Sequence, residues 1–248
     1  MEYQSVFQRY EKKYLMAADQ YESLEKKLAG RLSPDRYGRH TICNLYYDTE
    51  DFALIRASIE KPRYKEKLRL RSYGVPGRNS AVFAEIKKKY KGVVYKRREE
   101  LPLWQAENLL DHGIFPEDQS QILQEIEWFL RCWRPRAQVF LAYDRVALSG
   151  GQDPGLRVTF DQNIRWRTEN LNLSQGDWAA ALLPPGLVLM EIKIPGAMPV
   201  WLAHTLSELN IFPTSFSKYG TCYQKYLLAR RFAAVPAARL QNGGVISA

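Results

Sequence analysis

The chain has 248 residues, 46% of them hydrophobic and 25% charged, which is ordinary for a folded protein and enough to bury the core of one large domain. A formal net charge of +9 and a pI near 9.4 point to an anionic partner, whether nucleic acid, an acidic membrane surface or a phosphorylated molecule. No apolar run approaches the ~20 residues of a membrane span, and the polar start (Glu2, Gln4, Gln8, Arg9) excludes an apolar signal region, so a soluble protein without direct membrane insertion is expected; a membrane-bound protein partner is compatible with it.

In chain order, Ser5 to Met16 reads as a strand with Arg9, Glu11 and Lys13 on one face. Tyr21, Leu24 and Leu28 at helical spacing, stopped by Gly30, predict a helix, and Ser33 to His40 a loop. Ile42 to Tyr47 is a strand, and Asp48-Thr49-Glu50-Asp51 resembles the capped start of a short helix. Residues 65 to 91 form a long hairpin around Gly74, Pro76 and Gly77. Val93 to Leu101 adds a strand with Lys96 and Arg98 on one face and Arg97 and Glu99 on the other. Leu103 to Leu110 and Ile122 to Trp133 are amphipathic helices, with Trp133 expected in the core.

Gln138 to Leu148 is the next strand, and Gly150 to Gly155 is a turn. Two strands follow, Leu156 to Asp161 and Ile164 to Arg167, then a loop from 168 to 186 with a short helical piece. Val188 to Ile194 is the last strong strand, and helices run from Val200 to Asn210 and from Ser217 to Ala229. Residues 1–231 make one domain, and 232–248 a tail expected to be disordered.

The hairpin carries the strongest signal. Lys65, Lys67, Arg69 and Arg71 alternate with Leu68 and Leu70, and Glu85, Lys87 and Lys89 answer on the return strand. Like charges on paired strands repel, and the pattern recurs at Arg145, Arg157 and Asp161 and at Glu191 and Lys193. The expected architecture is α+β, with about eight mostly antiparallel strands closed into a barrel, a charged lumen and helices packed outside. Because unpaired buried charges cost several kcal/mol, the lumen is expected to hold an anion. Cys43, Cys132 and Cys222 are odd in number and show no Cys-x-x-Cys spacing, so they suggest neither a disulfide framework nor a thiolate zinc site and point to a reducing cytoplasm. His40, His112 and His204 are scattered, so any metal would be held by carboxylates.

The ordered motifs Tyr10-Glu11-Lys12-Lys13-Tyr14, Lys67-Leu68-Arg69-Leu70-Arg71, Phe83-Ala84-Glu85-Ile86-Lys87, Tyr143-Asp144-Arg145, Leu189-Met190-Glu191-Ile192-Lys193 and Phe216-Ser217-Lys218-Tyr219 resemble a known family. From about Phe7 to Arg230 the chain is similar to the catalytic domain of the vacuolar transporter chaperone (VTC) polyphosphate polymerases, within the triphosphate tunnel metalloenzymes. The resemblance implies a tunnel of antiparallel strands, a divalent metal (Mn2+ or Mg2+), and ATP as substrate, its terminal phosphoryl group passing to a growing polyphosphate chain. It implies Lys13, Arg69, Arg71, Lys87, Lys96, Arg145, Arg157 and Lys218 as phosphate ligands supported by Lys193, and Glu191 at the metal with Glu85 as its supporting carboxylate. Arg9 stands where the wider superfamily often has a glutamate, and Ser215 where eukaryotic polymerases have a second lysine.

The physics agrees, since phosphoryl transfer asks chiefly for positioning and charge neutralisation, and no Walker or kinase signature offers another way to hold phosphates. The alternatives are hydrolysis of tripolyphosphate or a nucleoside triphosphate, and a non-catalytic polyphosphate-binding module. Nucleic acid is disfavoured as a partner, because the bases share faces with glutamates and no stacking platform is visible.

Overall fold

Period-two alternation of charged and apolar residues builds long strands, and these form most of the chain. The computed structural model describes residues 10–229 except 92, 152 and 154. Arg9 and the 232–248 tail lie outside the described residues. Among the described residues, no helix is long and apolar enough to cross a membrane.

The strands are β1 (Tyr10–Ala17), β2 (Leu32–Pro34), β3 (His40–Asp48), β4 (Tyr64–Tyr73), β5 (Ala81–Tyr90), β6 (Val93–Pro102), β7 (Arg136–Gly150), β8 (Arg157–Arg167), β9 (Ala180–Ala181), β10 (Leu187–Ile194) and β11 (Pro213–Thr214). They form one antiparallel sheet in the order β11-β1-β10-β8-β7-β3-β4-β5-β6, with β2 on β7 and β9 on β8. The expected closed eight-stranded barrel is corrected on two points. Among the described residues the sheet has 11 strands, eight long and three of two or three residues, and hydrogen bonds between them do not close it. At one edge the two-residue β11 pairs with β1 at Lys13 and Tyr14, and its Pro213 has no N–H to extend the ladder. At the other edge β6 carries Lys96, Arg97, Arg98, Glu99 and Glu100, a charged edge of the kind that resists further pairing. The sheet nevertheless curls far enough for Lys13 of β1 and Lys96 of β6 to line the same cavity.

The convex side packs under helices in two clusters. Leu68, Leu70, Ala84 and Ile86 meet Leu109 of α3 (Leu103–His112) and Ile126 and Phe129 of α4 (Gln121–Trp133). Tyr14, Met16, Phe160 and Met190 meet Leu24 and Leu28 of α1 (Ala18–Leu28) and Leu202 and Leu206 of α5 (Val200–Glu208). Each such buried aliphatic side chain contributes about 1.5–3 kcal/mol. Ser120 caps α4 by accepting from the Leu123 N–H. Trp133, expected in the core, is 39% exposed and donates its indole N–H to Glu66.

Inside the curl, a third apolar cluster joins Val139, Leu141, Ile164 and Leu189 to Tyr219 and Cys222 of α6 (Lys218–Cys222), which continues into a π-helical turn at Tyr223–Leu227. Beside it lies α2 (Ala53–Ile59). The predicted break between two strands at Gln162-Asn163 is instead a bulge within β8. Asn163 has φ of +50°, and the β7–β8 register shifts between Ala142 and Asp144. Bulges re-aim side chains, and this one lies beside Tyr143 and Asp161, both on the inner face.

Candidate active site

The concave face encloses a cavity of about 810 Å³ lined by charged residues of β1, β4, β5, β6, β7 and β10 and by the 215–221 segment. Register explains the convergence: Lys13 lies opposite Glu191, Arg69 opposite Glu85, and Arg145 opposite Asp161.

Each carboxylate grips several cations. Arg69 donates to Glu85 through Nε at 2.7 Å, with Nη2 at 2.6 Å, and through Nη1 to the Tyr46 hydroxyl at 3.0 Å. Lys96 approaches the other Glu85 oxygen at 2.8 Å, and Arg71, whose Nε donates to Asn44, stands 3.8 Å away. Burial opposes ionisation of Glu85, but Arg69, Arg71 and Lys96 hold it far below the usual carboxylate range. Asp161, fully buried, accepts from Arg145 Nε and Nη2 at 2.6 and 2.7 Å and from Lys218 Nζ at 2.5 Å. The two-pronged grip fixes the guanidinium.

Glu191 has Lys13 and Lys193 each at 3.5 Å and Lys218 at 3.8 Å. Against burial, Lys218, Lys13, Lys193 and Arg145 keep its carboxyl well below the ordinary range. Lys13 Nζ is also 3.5 Å from Glu11 and donates to the Phe216 carbonyl at 3.0 Å. Burial and Glu191 push Glu11 up, and Lys193, Lys87 and Lys13 together bring it below its usual value. Burial raises the Tyr143 phenol, but Arg145, Arg71 and Lys218 more than offset this, leaving it below its ordinary value. Lys218 Nζ sits 4.3 Å from the Tyr143 ring centre.

The VTC domain family matches residues 8–227. The chain belongs to this family. Comparison with proteins of curated function finds no match. Among solved structures, a candidate adenylate cyclase from Bacillus halodurans shares 16% identity over 86% of this chain and 95% of its own, with a TM-score of 0.53. A candidate adenylyl cyclase from Hippeastrum, described as having a dominant triphosphatase activity, shares 16% identity over 91% and 97% of the two chains, with a TM-score of 0.50. These likenesses establish a common fold.

In this VTC domain, Lys13, Arg69, Arg71, Glu85, Lys87, Lys96, Arg145, Glu191, Lys193 and Lys218 line the one cavity. Arg157 is placed elsewhere: half-exposed at the start of β8, it donates to Asp35 at 3.2 Å and is not among the cavity-lining residues. Asp161 was visible in the sequence as one charge among several, and nothing there showed that it would anchor both Arg145 and Lys218. Tyr46, Asn44 and Lys67 also join the site, and only Lys67 carried a signal, its place in the alternating hairpin.

Because Asp161 faces two buried cations, Asp161→Asn should lower the unfolding free energy in urea by about 3–5 kcal/mol; a loss below about 1 kcal/mol would contradict the anchoring role. A second expectation concerns pH. Burial, followed by Lys87, Lys65 and Lys13, pushes Lys67 down to about 7. Burial with Arg69 and Arg71 does the same to Lys96 against the pull of Glu85. Between pH 7 and the ordinary lysine value of 10.5 the unfolded chain binds protons that the folded chain does not, so stability rises with pH there. The Tm without phosphate should be higher at pH 9 than at pH 7, and the rise should shrink in Lys67→Gln; an unchanged rise would count against the confined site of Lys67.

Proposed function

We propose that this VTC domain is a polyphosphate polymerase, moving the terminal phosphoryl group of ATP onto a growing polyphosphate chain. The observation that carries the reading is the convergence of Lys13, Arg69, Arg71, Lys87, Lys96, Arg145 and Lys218 on one cavity of the fold shared with triphosphate tunnel proteins. In this reading Arg69, Arg71 and Arg145 take phosphate oxygens in planar, paired hydrogen bonds, and Lys13, Lys87, Lys96 and Lys218 act as point charges. The cations neutralise the charge that spreads over the transferred group.

A divalent metal, Mn2+ or Mg2+, fits Glu11 and Glu191. Lys13 Nζ lies 3.5 Å from an oxygen of each, so the two carboxylates converge. Among the described residues no group of three or more His, Cys, Asp or Glu gathers around one point. Two carboxylates completed by phosphate oxygens are a usual donor set for Mg2+. Glu85 is instead engaged by Arg69, Arg71 and Lys96, and in this reading it orients them. Held there by Glu11 and Glu191, the metal would supply Lewis-acid withdrawal of charge from the phosphates.

The second reading, a triphosphatase, is favoured by the activity described for the Hippeastrum protein. Water then replaces the phosphate acceptor at the same cluster. Incubation with ATP and Mn2+ followed by gel separation should give a ladder of polyphosphate, lost in Glu191→Gln. Free phosphate without a ladder would replace the polymerase reading by the hydrolase, and triphosphate binding without turnover would reduce the site to a binding module.

A further inference from the structure

We propose that Thr159 is a positioning residue for the metal site, its hydroxyl donating to one carboxylate oxygen of Glu191 when the other turns to the divalent cation. The inference rests on the reading of Glu191 as a metal ligand and adds the group that orients it.

Thr159 lies on β8 between Val158 and Phe160, whose side chains are buried in the apolar cluster that packs under α1 and α5. Successive strand residues leave on opposite faces, so Thr159 points into the curl, on the same face as Asp161. It is 2% exposed, and its Oγ1 has no hydrogen-bond partner among the described residues. A hydroxyl buried without a partner is costly, and native structures seldom keep one without a reason.

Its surroundings leave one acceptor. On β7 it faces Ala147, which has no polar side chain, and on β10 it faces Glu191. Two residues along its own strand, Asp161 has both oxygens engaged by Arg145, and one of them also by Lys218. Two residues the other way, Arg157 is a donor and is turned to Asp35. Directly opposed residues of an antiparallel pair have Cβ atoms about 4.5–5.5 Å apart, which the flexible stem of a glutamate spans.

Glu191 is itself the loosely held acid of the site. Glu85 and Asp161 meet their nearest cations at 2.6 and 2.5 Å, whereas Glu191 has none closer than 3.5 Å. Charge-assisted hydrogen bonds run about 2.7–2.9 Å, so none of the three lysines around Glu191 grips it at that range. A buried donor without a partner and a buried carboxylate without a close donor therefore stand opposite each other on one rung of the ladder. A carboxylate that ligates a metal is ordinarily fixed by a hydrogen bond from a neighbouring group. Thr159 is placed to make it, and its β-branched side chain, stiff at χ1, keeps the direction of the hydroxyl narrow.

Binding of Mn2+ alone, read as loss of the free-ion electron paramagnetic resonance signal, tests the proposal in the wild-type chain, Thr159→Val, Thr159→Ser and Glu191→Gln. Thr159→Val should weaken Mn2+ binding at least about tenfold while Thr159→Ser, which keeps the hydroxyl, stays within about threefold of the wild type. The Tm of Thr159→Val without metal should be unchanged or raised, because the hydroxyl has no partner to lose. Wild-type Mn2+ affinity in Thr159→Val, or an equal loss in Thr159→Ser, would overturn the proposal. So would a lowered metal-free Tm or a Thr159→Val chain that does not fold, since either would show that the hydroxyl serves the fold before any metal arrives. Glu191→Gln separates the two readings. If it weakens Mn2+ binding and Thr159→Val does not, the proposal alone fails. If the wild type binds no Mn2+, or Glu191→Gln binds it equally well, the metal reading of Glu191 fails and takes the proposal with it.

Discussion

The concave face of this sheet depends on carboxylates placed among its cations. Removing two charges from water costs several kcal/mol per ion, and the loss is recovered only where partners meet at hydrogen-bond distance. Glu85, Asp161 and Glu191 provide those partners for Arg69, Arg71, Lys96, Arg145, Lys218 and Lys13. They also fix geometry. The guanidinium of Arg145 is held by both oxygens of Asp161, so it is oriented before any anion arrives. The acids are outnumbered around the cavity, and the surplus positive charge is what an anion would satisfy.

A second set of contacts ties this charged face to the segment that closes over it. Lys13 donates to the Phe216 carbonyl, Lys218 to Asp161 and Tyr219 to Asp48. Asp48 in turn accepts the Leu54 and Ile55 N–H groups at the start of α2. Tyr219 stacks on Tyr46 at 4.8 Å, and the Tyr46 hydroxyl accepts from Arg69. A change at Asp48 would thus reach both Lys218 and Arg69 through short, direct contacts, although neither touches it.

Much of this was legible in the sequence because strand alternation is a local property. Leu68 and Leu70 had to leave on the face opposite Lys67, Arg69 and Arg71, and the motifs around Glu85, Arg145, Glu191 and Lys218 marked the strands that meet in the site. What was not legible depends on distant partners. Arg157 shares its strand parity with Asp161, yet it stands at the strand end, where Asp35 from a remote loop engages it. Trp133 fits an apolar stripe, but Glu66 offers its indole an acceptor at the surface. The opening of the sheet follows from a proline in a two-residue strand and from charges along β6, neither of which alternation reveals. The importance of Asp161 appears only when Arg145 and Lys218, far apart in the chain, arrive on either side of it.

The most direct test of the account is a crystal structure with tripolyphosphate and Mn2+, using the anomalous signal to locate the metal. The account predicts a manganese peak between Glu11 and Glu191, with the phosphates against Arg69, Arg71 and Lys218 inside the curl of the sheet. A peak at Glu85, or phosphates bound outside the cavity, would contradict it.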